Sequence, residues 1–307
     1  MDTPSWNEFK EYSRERIAQI VEENGRPRSV LFEADGSRRV LGFNSEDTLS
    51  QEEYWKAATG TLLEILAGFY EHGIRTVFLA SFSQKCFTRD RQYVDFMMLK
   101  GIRYFCSSDH FLDFFKKHGI RVRFYGNSDF VKEQGYAEIL EWMDNLHDTT
   151  ADYGPNRLYI AFAEGMNEEE VRAAEMGIDF YKTTNRIPTR NDLLQNYYGD
   201  IPPMVDMFIH PSEVRDSDCQ PLFLGGRAEM YFSTGTMMGF DELTLRTILY
   251  DYLFHRIYSS GNRSHEQSSD DAKYLKGFYE ENMHRVLGIG KRSPGGEYWL
   301  PRFSGRY

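Results

Sequence analysis

The sequence predicts an α/β fold: a single domain built on a mostly parallel six-stranded sheet with helices on both faces. Short apolar runs alternate along the chain with longer stretches of helical periodicity, the signature of strand–helix–strand units. The apolar runs are continuous rather than alternating, as expected of strands buried on both faces. At 307 residues the chain is long enough for one large core.

The elements follow in order. Trp6, Phe9, Ile17, Ile20 and Val21 have helical spacing up to Asn24, and Gly25 follows as a stop signal. Ser29 to Ala34 is the first apolar run and ends at Asp35-Gly36. A polar loop from Asn44 to Leu49 precedes Ser50 and Glu53, a capping box opening a helix to His72. Strands are expected over Thr76–Ser83, Arg121–Tyr125, Leu158–Ala163, Met204–Ile209 and Ala228–Phe232. Helices are expected over Asp90–Lys117 (broken near Cys106-Ser107-Ser108), Phe130–Leu146, from Asn167 and Glu170 onward, Asp241–Tyr258 and Asp271–Leu287. The polar stretch Ser259–Asp271 is the one composition shift. It divides residues 1–258, the α/β domain, from a C-terminal extension over 259–307 made of polar loop, helix and basic tail.

Composition narrows the partners. A net charge of −11 argues against a nucleic-acid binder, which needs basic surface to neutralise phosphates. It leaves room for a small anion held by a local arginine cluster. Cys86, Cys106 and Cys219 show neither CxxC spacing nor pairing, which points to a reduced, cytoplasmic chain without a zinc site. The polar N-terminal residues do not read as a signal peptide, and no apolar run reaches membrane-spanning length. Aromatic residues make up 15% of the chain; core packing accounts for such a share, and some of the rings could line an apolar cavity.

In open parallel sheets ligands sit at the carboxyl ends of the strands. After the first run stands Asp35-Gly36-Ser37-Arg38-Arg39. As an isolated pentapeptide it describes a turn with a solvated basic pair. At a strand end the same residues can hold a metal-bound diphosphate: Asp as a hard oxygen ligand, Gly for close backbone approach, Arg against phosphate oxygens. Later strand ends carry Phe82-Ser83-Gln84-Lys85-Cys86-Phe87-Thr88-Arg89, His210-Pro211-Ser212-Glu213-Val214-Arg215-Asp216-Ser217 and Ala228-Glu229-Met230-Tyr231-Phe232. No GxGxxG, Walker or GxSxG sequence is present.

These four boxes, in this order, resemble the cis-prenyltransferases, the family of undecaprenyl diphosphate synthase, from Asp35 to about Arg256. The resemblance implies a magnesium-dependent enzyme acting on prenyl diphosphates as a homodimer. Asp35, Arg39 and Glu229 would be catalytic, with Asp35 and Glu229 holding Mg²⁺ and Glu229 reaching across the dimer contact. Gly36, Ser37, Arg38, Arg39 and Arg89 would bind the allylic diphosphate. Arg215 and Ser217, with His210 beside them, would bind that of isopentenyl diphosphate. The terminal Trp299–Arg306 is similar to the family's ending and equally reads as a solvated tail.

Departures cluster on one side. His210 stands where the family has Arg, Cys86-Phe87 replaces Asn-Trp, Trp55-Lys56-Ala57-Ala58 replaces His-Lys-Ala-Gly, and Ala163-Glu164-Gly165-Met166-Asn167 replaces Asn-Tyr-Gly-Gly-Arg. His in place of Arg loses a permanent charge and its bidentate fork. The sequence therefore implies an enzyme that ionises an allylic diphosphate and joins it to an unusual partner, or forms a short or cyclised terpenoid. The alternatives are ordinary elongation with isopentenyl diphosphate, a non-catalytic partner subunit, and an unrelated nucleotide or sugar-phosphate enzyme.

Overall fold

The computed structural model describes residues 3–41, 50–213, 221, 223–224, 228–256, 269–295 and 299–301. Its elements are α1 (Trp6–Phe9), α2 (Arg14–Asn24), β1 (Ser29–Glu33), α3 (Ser37–Leu41), α4 (Gln51–Glu71) and β2 (Thr76–Phe82). Then come α5 (Arg91–Asp95), α6 (Arg103–Ser107), α7 (Asp109–Lys117), β3 (Ile120–Gly126), α8 (Ser128–Glu133), α9 (Glu138–Thr150) and β4 (Asn156–Phe162). The rest are α10 (Met166–Thr184), α11 (Arg190–Tyr198), β5 (Met207–Pro211), β6 (Glu229–Ser233), α12 (Glu242–Tyr250), α13 (Ser269–Asn282), β7 (Gly290–Arg292) and β8 (Trp299–Pro301).

The main sheet has six strands in the order β3-β4-β2-β1-β5-β6. All its pairings are parallel. Burial follows strand order. β1 and β5 are buried along their whole length and β2 and β4 nearly so, whereas the edge strands β3 and β6 are partly exposed. The pleat then sorts the side chains. Val30 and Phe32 face one apolar layer with Phe69 of α4 and Leu249 of α12. Leu31 faces the other, with Phe78, Tyr159 and Phe208 under Leu194, Tyr197 and Tyr198 of α11. Helices thus cover both faces, as the sequence predicts.

Local chemistry explains most boundaries. The Ser50–Glu53 capping box is formed, with Ser50 Oγ accepting from Glu53 N. The helix expected from Trp6 to Asn24 is instead two, because Ser13 caps α2 by accepting from Arg16 N and closes off α1. The helix expected from Phe130 to Leu146 is likewise broken, at Gly135. The expected break near Ser108 is present, and the segment before it, Phe96–Ile102, is a π-helical turn. The strand expected from Met204 starts only at Met207: Met204 O is taken by Ser29 Oγ at 2.5 Å and the Asp206 carboxylate by Arg28 N at 2.7 Å. Helix α11 and the antiparallel β7–β8 pair lie outside the elements that the sequence pattern predicts. The loop 44–49 and most of the polar stretch 259–271, with the division at residue 258, lie outside the described residues.

Phe78 stacks on Tyr159 with centroids 5.0 Å apart and meets Tyr125 and Tyr198 edge-on, fully buried. Phe78→Ala is expected to lower unfolding free energy by about 3–5 kcal/mol, read from the chemical-denaturation midpoint.

Candidate functional site

The strand order brings the carboxyl ends of β2, β1 and β5 side by side. They floor a cleft of about 360 Å³ whose lining includes Asp35, Arg38, Arg39, Trp55, Arg89, Glu164 and His210. Past β1 the chain stays on the sheet for one more bond, Ala34 N to Ala80 O, and then turns. Gly36 makes the turn with φ +86°, and a Cβ there would lie 2.3 Å from Thr236 Cγ2. Only glycine satisfies both demands. The turn leads into α3, whose successive residues point about 100° apart, so Arg38 and Arg39 diverge.

Arg39 turns toward β5. Its guanidinium meets Asp35 at 2.8 Å, Ser212 Oγ at 3.1 Å and Glu213 at 3.0 Å. Ser212 Oγ in turn donates to Asp35 Oδ2 at 2.9 Å. Arg38 turns the other way, 4.9 Å above the Tyr93 ring. Arg89 also stacks on Tyr93, at 5.5 Å, and donates to its hydroxyl at 3.3 Å. Tyr93 holds this position because Asp90 caps α5, accepting from Gln92 N and Tyr93 N. Ser37 Oγ lies 3.0 Å from the Tyr54 hydroxyl.

Under the cleft floor, His210 is only 2% exposed. Its Nδ1 lies 3.0 Å from Glu33 and its Nε2 3.8 Å from Asp35. Burial opposes the imidazolium, but the two carboxylates outweigh it and hold the histidine up at about 9. Burial likewise opposes ionisation of Asp35, while His210, Arg39 and Ser212 together hold its carboxyl well below the usual range. His210 therefore contributes a charge here, yet spends it inside the protein.

Asp35, Gly36, Ser37, Arg38, Arg39, Arg89 and His210 thus share one cleft. Glu229 stands elsewhere. It opens β6, level with Met207 and Val30, whereas Asp35 lies beyond the far end of β1, roughly 16 Å along the strand direction. Its carboxylate is an ion-pair partner of Arg256, which also binds Asp251 and covers the Tyr231 ring at 4.4 Å. One chain does not bring Glu229 to Asp35. Arg215 and Ser217 lie outside the described residues, as do Arg302–Arg306 of the tail. Trp55 lines the cleft from α4, packed on Gly101 and edge-on to Phe96. Sequence reasoning passed over Glu33, Tyr54 and Tyr93. For Tyr93 a signal existed: it follows Arg89 by four residues, close to one helical turn.

A family model described as "Putative undecaprenyl diphosphate synthase" matches residues 34–257. The chain belongs to this family of prenyltransferases. Over 94% of its length it is 30% identical to tuberculosinyl adenosine transferase of Mycobacterium tuberculosis, 96% of which is covered. It is 22% identical to (+)-kolavelool synthase of Herpetosiphon aurantiacus over 98% of this chain and 96% of that one. Against an isoprenyl transferase of Rickettsia sibirica the identity is 24%, over 71% of this chain and 91% of the relative. Among solved structures, lavandulyl diphosphate synthase from Lavandula x intermedia, in complex with dimethylallyl diphosphate, superposes with a TM-score of 0.57. That match has 18% identity and covers 74% of this chain and 95% of that one. A probable undecaprenyl diphosphate synthase from Campylobacter jejuni also gives 0.57, at 18% identity, over 77% and 99%. These likenesses confirm the family and fold that the ordered boxes implied. No helix among the described residues of this prenyltransferase is long and apolar enough to cross a membrane.

The charge on His210 makes a testable contribution to stability. Its pKa in the fold, about 9, lies above the ordinary 6.5. The stabilisation is therefore complete below pH 6.5 and is lost as pH rises through 9. Unfolding free energy of the metal-free protein should fall between about pH 7 and 9 by denaturant titration, and His210→Gln should flatten that slope.

Proposed function

We propose that this prenyltransferase ionises an allylic prenyl diphosphate and transfers the allylic group to an acceptor other than isopentenyl diphosphate. One observation carries the reading: the two walls of the cleft have opposite charge character. On one side Arg38 and Arg89 gather on Tyr93 beside Ser37 and the Gly36 turn. On the other, at the ends of β1 and β5, Glu33 is buried and Glu213 is nearly so, and the cations His210 and Arg39 are engaged by carboxylates. Burying a second diphosphate against that acidic wall would add like charge in a low-dielectric place. Two relatives that match along nearly the whole chain, named for a tuberculosinyl adenosine transfer and for kolavelool, are consistent with an acceptor or product outside plain elongation.

In the proposed step the bond between the allylic carbon and the diphosphate oxygen breaks and its electron pair leaves with the diphosphate. The acceptor's lone pair forms the new bond to carbon, and the acceptor then loses a proton. Arg38 and Arg89 take up the charge on the departing diphosphate, with Ser37 and the backbone N–H groups of the Gly36–Arg38 turn fixing its position. Arg39 and Ser212 hold Asp35 in place.

Magnesium fits this arrangement. Mg²⁺ keeps several waters and is bound through one or two carboxylates together with substrate phosphates, and Asp35 is an ionised, part-exposed carboxylate at the mouth of the cleft. Bound there, the ion would supply further charge neutralisation at the diphosphate. Glu229 would take part only from a second copy of the chain, so its metal role requires the homodimer.

The test is product analysis by mass spectrometry with C5 to C20 prenyl diphosphates, with and without isopentenyl diphosphate and Mg²⁺. Diphosphate release is expected without isopentenyl diphosphate, and Asp35→Ala should slow it by at least about 10²-fold. Efficient multi-step elongation would overturn the reading, and so would an Asp35→Ala protein with full activity.

A further inference from the structure

Resting on that reading, we propose that Glu164 is the group in this cleft that binds the acceptor and takes its proton. The acceptor class this implies is a neutral molecule presenting an N–H or O–H group.

Glu164 follows β4, so it rises from the carboxyl edge of the sheet beside the ends of β2 and β3. It lines the cleft that holds Asp35 and Arg89, and also a shallow recess formed with Gln84, Asn127, Arg172 and Tyr197. It is 6% exposed, although no secondary structure requires a carboxylate there. The Tyr197 hydroxyl donates to Glu164 Oε1 at 3.0 Å, which sets the plane of the carboxylate. Tyr197 is itself held by the ring of Tyr198 and by Arg172, 5.9 Å from its centroid.

The backbone is arranged for this residue. Ala163, just before it, is fully buried with φ +53°, a left-handed conformation costly for a residue carrying Cβ. Ala163 N donates to Phe82 O at 2.7 Å and Gln84 N to Glu164 O at 3.0 Å, so the end of β2 grips the bend from both sides. On the other flank Gly126 ends β3 with φ +126° and lies so close that a Cβ would fall 1.9 Å from Phe162 O. Strain of this kind persists where the surroundings over-determine it, and it is commonest at functional sites.

The chemistry follows from position and charge. A carboxylate buried in the same cleft as the arginine side opposes a second anion and favours a hydrogen-bond donor. When the allylic C–O bond breaks, its electrons leave with the diphosphate. The acceptor's nitrogen or oxygen lone pair forms the new bond to the allylic carbon. The N–H or O–H bond then breaks, leaving its electrons on the acceptor atom, and the proton passes to the Glu164 carboxylate and on to solvent. Every charge created is accounted for without another reactant. General-base assistance of this kind contributes roughly 10²–10⁴-fold.

The experiment uses the full chain with Mg²⁺, geranylgeranyl diphosphate as donor, and adenosine or water as acceptor, beside a non-ionisable thiolodiphosphate analogue for donor binding. Glu164→Gln, which keeps the shape and can still accept from Tyr197, should slow transfer by about 10²-fold or more while the donor-analogue Kd stays within twofold. Glu164→Asp should recover part of the rate, and Tyr197→Phe should lower it several-fold at unchanged donor affinity. If wild type transfers and Glu164→Gln transfers equally well, this inference fails and the proposed function survives. It also fails if donor affinity falls in parallel with rate, because the residue would then be structural or belong to the donor side. If wild type only elongates with isopentenyl diphosphate, the functional reading itself fails.

Discussion

A buried positive charge held between two carboxylates organises the cleft. His210 is almost wholly removed from solvent and keeps its proton because Glu33 lies on one side and Asp35 on the other. Such a charge is tolerated only when paired, since desolvation alone would strip it. The pairing needs β1 and β5 adjacent and parallel, in the register that sets Phe32 beside Ile209. A slip of one residue would turn His210 to the opposite face and leave two acids facing each other.

From that lock the division of labour among the arginines follows. Arg39 is drawn into the network of Asp35, Ser212 and Glu213 and serves to orient the aspartate. Arg38, one residue earlier, is directed by the helical turn to the opposite wall, where it shares the Tyr93 ring with Arg89. The cleft is thereby polarised: a cationic wall over the β2 side and an acidic one over β5, with the Asp35 carboxylate between them. In the proposed function the leaving diphosphate is held by the cationic wall, and Glu164, at the end of β4 beyond β2, adds a buried carboxylate on the other flank of that wall.

Much of this was legible in the chain. The six strands, their parallel sense and the helical layers follow from apolar runs such as Val30–Phe32 and Val77–Leu79, whose unbroken character suits strands buried on both faces. The Asp35–Arg39 box was legible because those residues lie within one turn of each other, and Arg89 because its box sits at another strand end. Less legible were features that depend on contacts between distant residues. Glu33 is one acid within an apolar strand, with no local sign that its partner lies 177 positions later. Glu164 registered only as a departure from the family pattern. Helix α11 has weak amphipathicity, being covered by tyrosines rather than by an aliphatic stripe.

The sequence by itself determined the fold class, the family and the Asp35–Arg39 box at the end of the first strand, because each is encoded in local periodicity or in residues a few positions apart. Only the tertiary structure decided how the charges are spent. It set His210 between Glu33 and Asp35. It also placed Glu229 with Arg256 at the far end of its strand, and drew Glu164 into the cleft on a strained bend. Those outcomes depend on strand order and register, which bring together groups more than a hundred residues apart, and the energy of a buried charge is set by such neighbours rather than by residue type.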